Sequence, residues 1–317
     1  MLRRMDPTPH SHVSRRTFLA AGSAWLALSA FGRAQGDQRT RLVLLGTAGG
    51  PTPKARSAAP AQAIVAGDRV YLVDCGDGVA RQLALAKLPI QQLRAVFITH
   101  QHSDHNAGYG PLLLLGWAAN HTSAIDTYGP PPLAEMTARL LEAYRYDIEL
   151  RIADEGRPPL APLVRPHEIT APGEVFKDDR VRVTAALAEH PPIRHAFAYR
   201  FDTADRSIVI SGDTVYSRAV VELAKGADVL VHEVVSREFW ERADAPQPAS
   251  VVRHILASHT DTVDVGRVAA EAGVGTLVLS HFVPTEGPGA PTDRQWIAGV
   301  RRHFKGRVVI GKDLMEI

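Results

Sequence analysis

Six residues constrain this chain more than any others: His100-Gln101-His102-Ser103-Asp104-His105, which follow an apolar, β-branched run at 95–99. Such a run reads as a buried strand, so the six residues form a loop at a strand end. Three imidazoles and a carboxylate this close together have no packing explanation, because burying unpartnered polar groups is costly. They are the ligand types that Zn²⁺ and similar divalent ions take. In a tight loop, His100 and His102 can face one way and Asp104 and His105 the other. That arrangement would serve two ions roughly 3.5–4 Å apart.

A dinuclear site needs more ligands, and the rest of the chain offers them at strand ends. Runs at 42–45, 63–65, 70–73, 95–99, 124–128, 181–186, 196–201, 207–210, 229–231, 276–279 and 308–310 read as strands. Segments 78–87, 132–144, 217–225, 263–272 and 292–303 read as helices, with Ser217 and Thr292 as N-caps and Gly226 and Gly273 as stops. The Pro-rich stretch 147–172 reads as an irregular surface insertion near the site mouth. Strands then helices in two similar halves predict an α/β layered sandwich with its loops gathered at one sheet edge. His190 comes after 181–186, Asp213 after 207–210 and His281 after 276–279, so all three are placed to meet the loop at 100–105. His195 is the rival to His190. We prefer His190 because it directly follows the strand and leads Pro191-Pro192.

The charge balance changes once the start of the chain is set apart. Arg15-Arg16 precede an apolar stretch from Phe18 to Phe31, and Gly32-Arg33-Ala34 has a small-x-small pattern. This order is that of a twin-arginine export signal with cleavage after Ala34, which predicts a periplasmic protein. Residues 1–34 are then the signal and 35–317 a single domain. The whole chain holds 36 Lys and Arg against 34 Asp and Glu, and the signal takes five arginines and one acid, leaving the remainder at −2. No basic tract remains, so no nucleic-acid partner is expected, nor a membrane span after signal removal. Cys75 is the only cysteine, which excludes an internal disulfide.

The combination resembles the metallo-β-lactamase superfamily, and within it the ribonuclease Z and arylsulfatase-like branch. Eight landmarks carry the likeness, in order: Leu45-Gly46-Thr47-Ala48-Gly49-Gly50-Pro51, Asp74-Cys75-Gly76-Asp77-Gly78, 99–105, the segment from His190 to Ala198-Tyr199-Arg200, Gly212-Asp213-Thr214, His232-Glu233, Ser258-His259-Thr260 and Ser280-His281-Phe282. The resemblance implies a four-layer αβ/βα sandwich, two mixed sheets flanked by helices. It implies that His100, His102 and His190 hold one metal, that Asp104, His105 and His281 hold the other, and that Asp213 bridges them. The cofactors would be two divalent ions, Zn²⁺ by family habit. His259 would be the general acid, with Asp104 also in the catalytic set. His232, Glu233 and Asp74 would orient these groups. Members of this branch are often homodimers.

Departures from other branches steer the expected substrate. No cysteine follows position 75 and Asp213 is present, which argues against lactam hydrolysis. Ribonuclease Z enzymes usually insert a long tRNA-gripping arm after the Tyr-Arg segment, whereas Arg200 here leads to Asp213 in barely one hairpin. The expected reaction is therefore hydrolysis of a small sulfate or phosphate ester, arylsulfatase-like, by water activated between two metals. The alternatives on the same site are a lactonase or a phosphodiesterase of cyclic-nucleotide or ribonuclease Z type, and after those an iron-dependent redox enzyme.

Overall fold

Strands buried on both faces need a layer on each side, and that requirement shapes the chain from residue 41 onward. The computed structural model describes residues 39–317 except 243, 245 and 246, so the export signal expected at 1–34 lies outside the described residues. One sheet contains β1 (Arg41–Gly46), β2 (Ala61–Ala66), β3 (Arg69–Val73), β4 (Leu93–Phe97), β5 (Ile125–Gly129), β6 (Val164–Glu168) and the C-terminal β14 (Met315–Glu316). Its order is β14-β1-β2-β3-β4-β5-β6, antiparallel as far as β3 and parallel beyond it. The second sheet contains β7 (Gly173–Lys177), β8 (Val181–His190), β9 (Ile193–Thr203), β10 (Ser207–Ile210), β11 (Val229–Val235), β12 (Thr276–Val283) and β13 (Arg307–Ile310). Its order is β13-β12-β11-β10-β9-β8-β7, parallel from β13 to β10 and antiparallel from β10 to β7.

Strand periodicity assigns side chains to layers. In β1, Leu42 and Leu44 enter the core between the sheets, while Val43 and Leu45 enter the outer one. The central core is aromatic around Phe97, which packs on Tyr128, Phe176, Tyr199 and Phe201 with ring centroids 5.2–5.9 Å apart. Outside the first sheet lie α1 (Val79–Leu85), α2 (Ser103–Asn106), α3 (Tyr109–Ala118), α4 (Leu133–Ala143) and α5 (Arg145–Glu155). With the second sheet come α6 (Arg218–Leu223), α7 (Arg237–Trp240), α8 (Ala249–Ser258), α9 (Thr262–Ala272) and α10 (Asp293–Val300). Val220, Val221, Val265, Val268, Trp296 and Val300 seal its outer face. This is the four-layer sandwich of two mixed sheets that the resemblance implies. Among the described residues, no helix is long and apolar enough to cross a membrane.

Some local expectations need correcting. Thr292 caps α10 with a complete capping box, but Ser217 makes no side-chain cap bond to α6. The stretch 147–172 is not irregular: α5 and β6 occupy most of it. Helix α5 buries none of its residues and is laced by ion pairs such as Arg151–Asp147 and Arg151–Glu155, so it shows no apolar stripe to read. Helix α3 hides for the opposite reason. Its sequence, YGPLLLLGWA, is apolar on nearly every side and packs into the core.

Candidate metal centre

The parallel strands deliver their following loops to one end of the sandwich. Strand β4 runs straight into the histidine loop, and two backbone bonds fix its exit, from Asp74 N to Phe97 O (2.8 Å) and from Phe197 N to Thr99 O (2.9 Å). Asp74 then turns its carboxylate on the loop. Oδ1 accepts from Thr99 N at 2.8 Å, and Oδ2 takes the Nδ1 hydrogen of His105 at 2.8 Å. This fixes the tautomer of His105 and leaves its Nε2 as a ligand atom. His190 is set in the same way, because its Nδ1 donates to Ser258 O at 2.8 Å. Asp213 sits on a turn that needs Gly212, whose φ is +60° and whose added Cβ would lie 2.9 Å from Phe197 O.

Two nests of ligand atoms result, and Asp213 faces both. In the first, His102 Nδ1 lies 2.9 Å from His100 Nε2 and 3.2 Å from His190 Nε2. Asp213 Oδ2 lies 3.8 and 3.9 Å from the same two Nε2 atoms. In the second, the Nε2 atoms of His105 and His281 are 3.2 Å apart, and Asp213 Oδ1 is 3.4 and 3.3 Å from them. Asp104 Oδ2 completes that nest at 3.3 Å from His281 and 3.6 Å from His105. Ligands about 2.0–2.2 Å from a tetrahedral ion lie about 3.3 Å from one another. Asp213 Oδ1 is buried without a hydrogen-bond partner, as a ligand atom awaiting a cation would be. The residues therefore fit divalent ions. His195 is half-buried on β9 and belongs to neither nest.

In the first nest the charges agree with that fit. In the second, burial lowers the His105 pKa, but the carboxylates of Asp213, Asp74 and Asp104 outweigh it and hold the ring well above the ordinary imidazole range, with a proton that a cation would displace. Burial holds His100 well below the ordinary imidazole range and His190 down to about 4, which keeps their lone pairs free. Burial works against the Asp213 carboxylate, yet His281, His105 and His100 outweigh it and hold the group ionised. His259 follows α8, with its ring 5.1 Å from His190 and 5.7 Å from His281. Its Nδ1 lies 3.4 Å from Glu233 Oε1. Burial lowers the His259 pKa, but Glu233, and behind it Asp213 and Asp104, push it up to about 9. Glu233 is pinned by the backbone amides of Thr260 (2.8 Å) and Thr214 (3.3 Å). His232 acts on Glu233 through the backbone. Its side chain lies on the opposite face of β11 from that of Glu233, and Nδ1 bonds only to the Glu233 carbonyl.

A cleft of about 540 Å³ opens beside Asp104, walled by the loop after β1 and the start of α1. Lys54 and Arg56 line it together with Arg81, which lies 25 residues further on, so the three do not form one basic tract. Asp313, beyond β13, ties the loop down by accepting from Thr47 N, Thr47 Oγ1 and Ala58 N. On the side of β12, Ala48 pairs with Phe282, and the absent side chain of Gly49 leaves room for the His281 ring, whose Nδ1 would lie 2.8 Å from an added Cβ. Sequence reasoning noticed the Gly-Gly-Pro opening but not the cleft that it walls.

A family model described as "Beta-lactamase superfamily domain" matches residues 69–282. A curated relative named Ribonuclease Z, from Mycobacterium bovis (strain BCG / Pasteur 1173P2), is 36% identical over 279 residues, covering 87% of this chain and 97% of its own length. This chain belongs to the metallo-β-lactamase superfamily, on its ribonuclease Z branch. It is a metal-dependent hydrolase acting on ester bonds. A Ribonuclease Z from Mycobacterium avium (strain 104) matches with the same identity and coverage. Human tRNase Z, short form, shares the fold at a TM-score of 0.63 and 22% identity, over 87% of this chain and 98% of its own.

These relatives overturn two expectations. The arylsulfatase-like hydrolysis of a small ester, and with it the absence of a nucleic-acid partner, gives way to a family of nucleases by name. The reasons the sequence misled are physical. Net charge averages over the surface, whereas Arg81 joins Lys54 and Arg56 only in the folded cleft. A missing arm excludes nothing either, since the Mycobacterium bovis protein is matched over 97% of its own length and leaves no room for a long one.

Proposed function

We propose that this chain is a ribonuclease of the ribonuclease Z type, hydrolysing a phosphodiester bond in RNA. His100, His102, His190 and Asp213 would hold one divalent ion, and Asp104, His105, His281 and Asp213 a second, with Zn²⁺ suited to this nitrogen-rich set. When bound, such ions act as Lewis acids on the phosphoryl group and supply an activated water. The observation that carries the reading is Asp213 shared by the two nests, with His259 Nδ1 3.9 Å from it and a cleft lined by Lys54, Arg56 and Arg81 opening beside Asp104. His259, held protonated by Glu233, hands its proton to the leaving oxygen. Lys54 takes a neighbouring phosphate as a point charge and Arg56 and Arg81 through their guanidinium forks, while the Asp74–His105 and Ser258–His190 bonds keep the two nests in shape.

The test is an assay of the Zn²⁺-loaded protein on a tRNA precursor and an unstructured RNA. Wild type should cleave RNA. His259→Ala should be at least about a hundredfold slower with its metal content unchanged. Failure of wild type to cut any RNA at full metal loading sinks the proposal.

We further propose that residues 1–34 direct export by the twin-arginine route, which places the enzyme with RNA outside the cytoplasm. The support is the order of Arg15-Arg16, apolar stretch and small-residue exit. Changing both arginines to lysine should leave the protein in the cytoplasmic fraction. Unchanged periplasmic recovery would remove this reading.

A further inference from the structure

His254 has no part in the chemistry described so far. It is exposed on α8, one turn before Ser258, and its ring centroid is 6.2 Å from that of His102 and 6.3 Å from that of His190. Hydrogen-bond accounting fixes its tautomer. The Ser258 hydroxyl donates to Pro191 O at 2.6 Å, and its oxygen lies 3.3 Å from His254 Nδ1. A hydroxyl has one hydrogen to give. With that hydrogen on Pro191, Oγ is the acceptor and Nδ1 is the donor. In the neutral ring, Nε2 then carries the lone pair, and among the described residues nothing donates to it. Through its own carbonyl, Ser258 also sets His190, so this acceptor is held in fixed relation to the first metal nest.

The two flanks of the centre therefore differ in chemistry. Beyond Asp104 the cleft offers the cations Lys54, Arg56 and Arg81, which suit phosphates. Beyond His102 and His190 stands the Nε2 of His254, whose lone pair, in the tautomer set by Ser258, repels a phosphate oxygen and suits a hydroxyl. A nucleotide beside the scissile phosphate presents one hydroxyl that DNA lacks, the ribose 2′-OH. We infer that His254 Nε2 accepts a hydrogen bond from the 2′-hydroxyl of the nucleotide on the His102–His190 flank, and so selects ribose over deoxyribose there. The inference rests on the nuclease reading above and adds to it a sugar-reading residue.

The experiment compares an all-ribose oligonucleotide with two versions carrying a single 2′-deoxy residue, one on each side of the cleaved bond, at mildly alkaline pH. Wild type should lose roughly tenfold in kcat/KM on one of the two deoxy substrates. His254→Ala should lose the same factor on the all-ribose substrate and none further on that deoxy substrate, with both metals retained. His254→Gln, whose amide oxygen is again an acceptor, should recover part of the preference. Equal cleavage of all three substrates by wild type, or a preference that persists in His254→Ala, overturns the inference while leaving the nuclease reading intact. No cleavage of the all-ribose oligonucleotide overturns that reading, and this one with it.

Discussion

At the scale of single residues, Asp213 is where the two nests depend on one side chain. Its oxygens point opposite ways, Oδ2 toward His100 and His190 and Oδ1 toward His105 and His281. Removing the carboxylate takes one ligand from each nest and leaves four buried imidazoles and the half-buried His102 with less negative charge among them. Asp213→Ala should therefore lose at least one metal by elemental analysis of the dialysed protein, and retention of two would refute the bridging role. The residues of both nests were legible in the sequence because each is a metal-binding type placed just past an apolar strand. His254 was not, since a histidine on an exposed helix face looks like any other until the rings around it are known.

Elements set the next scale, and the parallel half of the first sheet shows how one residue joins three of them. Asp126 on β5 is buried and accepts from Arg94 on β4 and from Arg165 and His167 on β6. Burial alone would raise its pKa, but the hydrogen bonds from Arg94, His167 and Arg165 outweigh that and hold the carboxyl below its ordinary range. A depressed folded-state pKa contributes stability that is present above the unfolded value, about 3.9, and is lost as pH falls through the folded one. Asp126→Asn should lower stability at neutral pH by about 1–3 kcal/mol. The gap to wild type should close as both are unfolded in increasingly acid buffer. Denaturant titrations at several pH values check this, and a gap that stays constant into acid would contradict it. Element boundaries were less legible than element types. Helix α5 is held by surface ion pairs and α3 is apolar almost all round, so neither shows the stripe from which helices are read.

For the whole molecule, the centre is also a fastening between the two sheets. His100, His102, Asp104 and His105 follow β4 of the first sheet, while His190, Asp213 and His281 come from β8, β12 and the turn after β10 of the second. Divalent ions bound there would bind only the folded chain. Ions at a thousand times their dissociation constant stabilise a protein by about 4 kcal/mol. Stripping them with a chelator should lower the Tm by on the order of 10 °C and abolish activity, with both restored by adding Zn²⁺. A Tm unmoved by chelation, measured by calorimetry alongside metal content, would show that the nests hold no ion that matters to folding.

The sequence by itself determined the layered α/β sandwich, the ligand types and the strand ends that carry them, because strand periodicity and metal chemistry are local properties of residue order. It also reached the right superfamily and reaction class. Only the tertiary structure decided which groups meet. It chose His190 over His195, set Glu233 rather than His232 against His259, and put Arg81 in one cleft with Lys54 and Arg56. Those are facts of convergence between separate segments of the chain. A net charge summed along the chain does not contain them, which is why the small-ester expectation failed.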